Sequence, residues 1–374
     1  MRVALVHDWL TGMRGGERCL EAFCELFPDA DLFTLVHVPG AVSSVIERRR
    51  IVTSFIQRLP GAAAGYRRYL PLFPAAVRGF DLRGYDLVLS SSHAVAKSAR
   101  APQGALHVCY CFTPMRYVWD LYDEYFGPGA GAGWGTRVAM PPIAAALRRW
   151  DRRTAARVHH FVAISHFVAD RIGRAYGRAA DVIHPPVDVA RFAIDESPGE
   201  YYLVVSALTP YKRVDLAIEA ANRLRRRLLI VGTGTEERRL RALAGPEVTF
   251  LGWQDDETVA GLYARCRALV FPTLEDFGIT PLEAMAAGRP VLAYGRGGAC
   301  ETVVPPGVAG GPTGLYFERQ AVDDVIDAMR RFEADPGRFE PKLLRRRAEA
   351  FDRPVFKERI HAYLRGRLGE RRPC

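Results

Sequence analysis

Two carboxylates eight positions apart frame the strongest chemical pattern in this chain. The segment Glu275-Asp276-Phe277-Gly278-Ile279-Thr280-Pro281-Leu282-Glu283 runs on through Ala-Met-Ala-Ala to Gly288-Arg289-Pro290. It follows the apolar run Ala268–Phe271, which reads as a buried strand. Glu275 therefore falls in a loop at a strand's carboxyl end, where a ligand can reach it. Glu283 falls in the first turns of a helix that ends at Gly288. Between them, the amides near Phe277, Gly278 and Ile279 make a helix N-terminus suited to phosphate oxygens. Carboxylates on either side of an anion site make sense if both bind hydroxyls, one on a sugar and the other on a ribose. Thr280-x-x-Glu283 with Pro281 at the first helical position also spells a capping box. Glu283 thus stands open between cap and ligand contact, an alternative that Glu275 does not share.

A second segment, Ser206-Ala207-Leu208-Thr209-Pro210-Tyr211-Lys212-Arg213-Val214-Asp215, again lies between a strand pattern and a helix pattern. Only four of the 52 basic residues are lysine, at Lys97, Lys212, Lys342 and Lys357, so a lysine in this loop is informative. An ammonium is a compact point charge that approaches a diphosphate without the width of a guanidinium. Arg213 beside it could add bidentate phosphate contacts. Thr11-Gly12-Met13-Arg14-Gly15-Gly16-Glu17 sits between the first strand and the first helix, and adjacent glycines there let amides approach a phosphate or sugar, or simply make a tight turn. Gly232-Thr233-Gly234 is similar and could line a nucleotide pocket.

The elements that must position these residues alternate short apolar runs with helical stretches, the signature of parallel sheets with crossover helices. Val3–Val6, Leu32–Val36, Leu87–Ser90, Leu106–Cys111 and Phe161–Ile164 read as strands in the first half. Tyr201–Ser206, Leu228–Val231, Val248–Leu251, Ala268–Phe271 and Val291–Ala293 do so in the second. Helices are predicted over Glu17–Leu26, Ile143–Arg157, Val214–Arg225, Glu236–Leu243, Asp256–Arg265 and Val322–Glu333. The 374 residues exceed one ordinary core and suggest two domains of roughly 150–200 residues each. A proline-rich, acidic seam at 185–198 divides residues 1–188 from 198–350, and residues 351–374 form a last helix expected to cross back onto the first domain. The expected fold class is α/β, two Rossmann-like doubly wound domains facing each other across a cleft, with ligands at the strands' carboxyl ends. Glycine-rich Gly127–Gly135 reads as a mobile loop.

Composition narrows the class further. With 49% apolar and 25% charged residues the chain reads as folded rather than disordered. No apolar run reaches the ~20 residues of a membrane span, and Met1-Arg2 leads straight into a strand pattern without a signal-peptide pattern. Seven cysteines with no zinc-like CxxC pair read as a reducing, cytoplasmic setting. The net charge of +10 is compatible with nucleic acid, an anionic membrane surface or a phosphate-rich ligand. No nucleic-acid-binding pattern supports the first.

The Glu275-x7-Glu283 motif with its Ala-Ala-Gly-Arg-Pro tail, the Lys212 segment, the early Gly-Gly turn and Val187-Asp188-x-x-Arg191-Phe192 resemble the retaining glycosyltransferases of family 4, which have the GT-B fold. Within that family, His7-Asp8-Trp9, Ser91-Ser92-His93-Ala94 and Thr113-Pro114-Met115-Arg116-Tyr117 resemble bacterial polysaccharide and O-antigen mannosyltransferases. The resemblance implies that Glu275 contacts donor-sugar hydroxyls, Glu283 the ribose, and Lys212 and Arg213 the diphosphate, with Gly15 and Gly16 close to the donor phosphates. Two positions depart from the family. Ala207 stands where an arginine commonly precedes the lysine, and Phe112 stands where relatives carry the histidine of His-Thr-Pro-Met-Arg. His93 becomes the candidate acceptor-side histidine, with His7 competing, and Asp8 and Asp120 could bind acceptor hydroxyls. The pairs around His159, His160 and His166 read as packing or surface groups.

The implied reaction is hexose transfer with retention by front-face displacement, with the departing diphosphate stabilised electrostatically and no metal or other cofactor. Asp29-Ala30-Asp31 has the spacing of a DXD metal motif, but Phe27-Pro28 before it makes a turn, and no ligand role is assigned. The implied donor is a nucleotide-sugar, GDP-mannose first and UDP-hexoses next. The implied acceptor is a glycan or a polyprenyl-diphosphate-linked glycan in cell-surface polysaccharide synthesis. Aromatics and arginines interleave over Gly61–Phe80, as on surfaces that rest on anionic lipid; a packed pair of helices explains the same pattern. A nicotinamide-dependent epimerase or dehydrogenase is the rival on an open parallel sheet, but the first βα turn lacks GxGxxG and no Tyr-x-x-x-Lys pair follows. A basic nucleic-acid binder is the third reading, and the arginine bias already accounts for its main support.

Overall fold

The computed structural model describes residues 1–370 apart from 121, 128–132, 196 and 198. Most of the Gly127–Gly135 loop, and part of the predicted seam, lie outside the described residues. The chain divides into two compact units, Met1–Pro185 with Phe356–Cys374, and Pro186–Val355.

The first unit is built on seven strands: β1 (Val3–His7), β2 (Asp31–Thr34), β3 (Ile51–Thr53), β4 (Leu87–Ser92), β5 (Leu106–Cys111), β6 (His160–Ala163) and β7 (Ala180–Val182). They pair in the order β3-β2-β1-β4-β5-β6-β7, all parallel. Every residue of β1, β4 and β5 is buried, including the serines that end β4 and His107 in β5, as expected for the central strands of a parallel sheet covered on both faces. Strands β3 and β7 escape sequence reading for a physical reason. Each is a three-residue edge strand, largely half-buried, so its apolar run is too short to stand out.

The second unit holds β8 (Tyr202–Val205), β9 (Leu228–Val231), β10 (Val248–Gly252), β11 (Ala268–Phe271), β12 (Val291–Tyr294) and β13 (Gly314–Phe317), in the order β10-β9-β8-β11-β12-β13, again all parallel. The edge strand β13 was not expected. Both sheets reverse their winding direction beside their first strand, between β1 and β4 in one unit and between β8 and β11 in the other. An open α/β sheet opens its crevice at such switch points, outside the strands' carboxyl ends.

Two helices differ from expectation. The helix predicted over 143–157 begins at Trp134 and runs to Ala155, through Pro141 and Pro142, both on its exposed side. The helix after β11 begins at Ile279 rather than Pro281, with Gly278 ahead of it at φ 86° and no side-chain cap. Thr280 is therefore inside the helix, and the capping-box reading of Glu283 does not hold.

Helix Arg353–Gly369 delivers Phe356 into the first unit's core, where its ring lies 5.7 Å from Phe23 and 5.6 Å from Tyr110. Lys357 pairs with Glu25, and Tyr363 and Arg367 both meet Asp181. The Gly61–Phe80 stretch folds as short helices whose rings turn inward. Tyr66 and Phe73 are buried against Trp9, at 4.9 and 6.3 Å between rings, while Arg67, Arg68 and Arg78 stay exposed. The interleaving of aromatics and arginines is thus a packed helical face with its cations outward.

Candidate functional site

In the second unit the switch point between β8 and β11 gathers the two strongest motifs. The loop after β8 ends in a 3-10 turn, Pro210–Lys212, followed by Arg213 in the left-handed region at φ 52° and helix Val214–Leu224. That turn aims Lys212 Nζ at Glu275 Oε1 in the loop after β11, and the two form an ion pair. Their side chains keep only 16% and 13% exposure, enough for a ligand to reach and little enough for charge to count. Arg213 is drawn elsewhere. Its guanidinium binds the Asp215 carboxylate at 3.2 Å, so it is anchored to the start of its own helix and does not point at Glu275.

Glu275 is held from behind by a turn that sequence reading passed over. The Gly298 amide donates to the Glu275 carbonyl at 2.9 Å, and Gly297, at φ 71°, bridges the same residue. A Cβ on Gly298 would collide with the Phe277 backbone. The signal was present: Gly295-Arg296-Gly297-Gly298 follows β12 as Gly15-Gly16 follows β1. Phe277 is buried on Phe351, 5.8 Å between rings, which fixes the approach to Gly278 and Ile279. The leading amides of helix Ile279–Ala286 have no partner within the helix, as at any helix start.

Glu283 accepts a hydrogen bond from the Tyr263 hydroxyl at 3.0 Å. Tyr263 is fully buried, and burial together with the Glu283 carboxylate pushes its phenol well above the usual range. Gly232 has a packing reason: at φ 124° a Cβ there would run into the Ser206 carbonyl oxygen, and one on Gly234 into that of Leu208. These glycines let the β9 loop close on the loop that carries Lys212. The motif's tail is also structural. Arg289 is buried and donates to the Ala264 carbonyl at 2.8 Å.

In the first unit the β1–β4 switch point holds a buried polar cluster. Helix Gly15–Leu26 starts beside it, and Gly16 lies against Phe112, which a Cβ there would touch at 3.4 Å. The rings of His7, His93 and Phe112 form a triangle with sides of 6.2–6.4 Å. His7 is buried, with Nδ1 2.8 Å from Ser91 Oγ and Nε2 3.7 Å from Glu17 Oε1. Burial alone would raise the Glu17 carboxyl, but the neighbouring His7 imidazole outweighs it and holds it low. His93 keeps about one-third of its side chain exposed (32%), with Nδ1 3.3 Å from Asp8. Desolvation draws its pKa below the ordinary imidazole value, against the opposing pull of Asp8.

Two of the acids assigned to an acceptor have other tasks. Asp8 is fully buried, and its carboxylate accepts four backbone N–H groups, from His93 and Ala94 on one oxygen and from Val95 and Ala96 on the other, at 2.7–3.0 Å. Burial pushes this carboxyl up, but His93, His7 and those amides together hold it below its usual range. Asp8 thus shapes the turn that presents His93, and leaves no lone pair facing an acceptor. Asp120 pairs with the buried Arg171 at 3.4 Å, balancing a desolvated cation. Asp31, of the Asp29-Ala30-Asp31 triplet, is taken up by the Tyr85 hydroxyl and Arg50.

Known proteins match on both units. Residues 13–191 match the domain model described as Glycosyltransferase Family 4, and residues 189–351 that described as Glycosyl transferases group 1. The chain is 31% identical over 242 residues to a GDP-mannose-dependent alpha-(1-6)-phosphatidylinositol monomannoside mannosyltransferase of Mycobacterium tuberculosis, a match that covers 56% of this chain and 60% of the relative. It is 36% identical over 121 residues to the O-antigen chain mannosyltransferase C of Escherichia coli, covering 30% of this chain and 32% of that one. Among solved structures, sucrose-phosphate synthase from Thermosynechococcus elongatus superposes with a TM-score of 0.73 at 18% identity, over 99% of this chain and all of that one. Anabaena HepE in complex with UDP does so with a TM-score of 0.70 at 19% identity, over 98% of this chain and all of that one. These likenesses show the fold, GT-B. With its two halves matched in tandem from residue 13 to residue 351, the chain belongs to the family 4 glycosyltransferases.

Proposed function

We propose that the protein is a retaining, metal-independent hexosyltransferase that moves mannose from GDP-mannose to a glycan or polyprenyl-diphosphate-linked acceptor in cell-surface polysaccharide synthesis. The observation that carries this reading is the Lys212–Glu275 ion pair at the β8–β11 switch point. A sugar diphosphate entering there supplies both partners with better ones. The ammonium turns to the diphosphate oxygens, and the freed carboxylate accepts hydroxyls of the hexose. The amides of Gly278 and Ile279 take further phosphate oxygens, and Glu283, steadied by Tyr263, meets the ribose. As the glycosidic bond to the diphosphate breaks, charge grows on the leaving oxygens, and fixed donors in a partly dry site stabilise that charge without reorganising. The acceptor hydroxyl attacks from the face the diphosphate leaves and delivers its proton to the departing phosphate, giving retention. His93 orients the acceptor in the first unit.

Mannose is favoured because the mycobacterial and Escherichia coli relatives are mannosyltransferases, the former GDP-mannose-dependent. A UDP-hexose is the second reading, favoured by the UDP in the HepE complex. A panel of sugar nucleotides, assayed for transfer and hydrolysis with Glu275→Ala and Lys212→Ala alongside, tests both. Turnover of GDP-mannose, cut roughly 10²–10³-fold by Lys212→Ala, is the expected result. Turnover of a UDP-sugar alone selects the second reading. Full activity in either variant overturns the site assignment, and stabilisation by NAD rather than by GDP or UDP overturns the reaction class.

A further inference from the structure

Helix Trp134–Ala155 in the first unit packs one face inward through Met140, Ala144, Leu147, Asp151 and Thr154. At 100° per residue the opposite face carries Trp134, Val138, Pro142, Ala145, Arg149 and Arg153 in one stripe. All six are exposed. Trp134 and Val138, one turn apart and so side by side, are 82% and 58% exposed, which is unusual for side chains of this size. The first ~16 Å of the stripe is uncharged, and its far end is cationic. No acid interrupts it. The helix's single carboxylate, Asp151, is buried and committed to Lys97 Nζ, Trp119 Nε1 and Tyr176 Oη.

We propose that this face docks on an anionic lipid surface, with Trp134 and Val138 entering the boundary between headgroups and acyl chains while Arg149 and Arg153 hold lipid phosphates. Both halves of the stripe need a partner, and few surfaces serve both. A nucleic acid would leave the uncharged half in contact with a polyanion. A second copy would bring the same arginines and no carboxylate to neutralise them. A bilayer with acidic headgroups offers an apolar phase for the indole and phosphates one layer above it, which suits an element lying in the interface rather than crossing it. Among the described residues no helix is long and apolar enough to cross a membrane. Residues Tyr66 and Phe73 of the Gly61–Phe80 stretch are spent on the core, which leaves the Trp134 helix with the larger apolar exposure.

The test uses the full chain and no sugar nucleotide, so it stands or falls apart from the transfer reaction. Flotation with phosphatidylcholine vesicles containing phosphatidylglycerol is compared with phosphatidylcholine alone, for the wild type, Trp134→Ala/Val138→Ser, Arg149→Gln/Arg153→Gln and Arg67→Gln/Arg68→Gln/Arg78→Gln. All are exposed positions, and circular dichroism checks that folding is unchanged. The expected result is binding to the anionic vesicles, weakened about tenfold or more in the first two variants and unchanged in the third. A vesicle-induced blue shift of tryptophan emission should be lost in Trp134→Phe. Absence of binding, undiminished binding in the first two variants, or an emission shift that survives Trp134→Phe overturns the proposal. So does a vesicle-free dimer, seen by sedimentation, that Trp134→Ala dissociates.

Discussion

Replacing Asp8 by asparagine keeps the volume of the side chain and removes half of what it does. Four N–H groups converge on the carboxylate, two per oxygen. An asparagine has one carbonyl oxygen and one NH2 group, so it can satisfy one pair and must set a donor against the other. Two charge-assisted hydrogen bonds are lost at about 1.5–3 kcal/mol each, and two amides are left buried and unsatisfied. The loss is thus about 3–6 kcal/mol, a large share of the ~5–15 kcal/mol that holds a domain together. Urea denaturation of Asp8→Asn should show an early transition for the first unit, with the second unit unfolding as in the wild type. The pH dependence gives an independent sign. The native carboxyl titrates below its unfolded value, so its stabilisation is complete above the unfolded pKa near ~4 and fades as pH falls through the lower, native value. The gap between wild type and variant should therefore narrow on acidification. A stability loss under ~1 kcal/mol at pH 7, or a gap that widens in acid, would refute the assignment of Asp8 as the anchor of the His93 turn.

Lys97→Met leaves Asp151 as a buried carboxylate with its cation gone, and should cost about 3–5 kcal/mol in the first unit by the same denaturation assay. Gly298→Ala drives a methyl into the Phe277 backbone. It should cost about 1–3 kcal/mol in the second unit and raise the KM for donor by moving the Glu275 loop, read by thermal unfolding and initial rates. Wild-type KM in that variant would mean that the Gly297-Gly298 turn does not position Glu275.

How far the sequence could be read depended on whether a signal was local. Both sheets were legible because their central strands are continuous apolar runs, and the runs end where the motifs begin. Strands β3 and β7 were not, since each is a three-residue edge strand that draws its stability from a neighbour rather than from its own composition. Strand β13, as long as its neighbours, was passed over because its run opens on a glycine. The start of helix Ile279–Ala286 was misplaced because Thr280, Pro281 and Glu283 fit a cap on paper, whereas Gly278 turns the chain two residues earlier. Tyr263, which steadies Glu283, lies twenty positions away and gives no local sign.

Asp8 and Glu275 show where such reading ends. Each is an acid just past a buried strand at a switch point, and by position alone the two are equivalent. Their fates are opposite. Asp8 is met by four amides of a turn some 85 residues downstream, which fill both oxygens and seal it from any ligand. Glu275 is met by one flexible ammonium, a partner that a phosphate can displace. The difference lies in what the neighbouring strand's loop presents. A backbone turn uses its amides, whatever its side chains, so nothing in Ser92-His93-Ala94-Val95 announces that it will consume a carboxylate. A lone lysine among arginines does announce itself, because its side chain is the donor. Sites built from side chains therefore show in a sequence, and sites built from backbone appear only once the chain is folded.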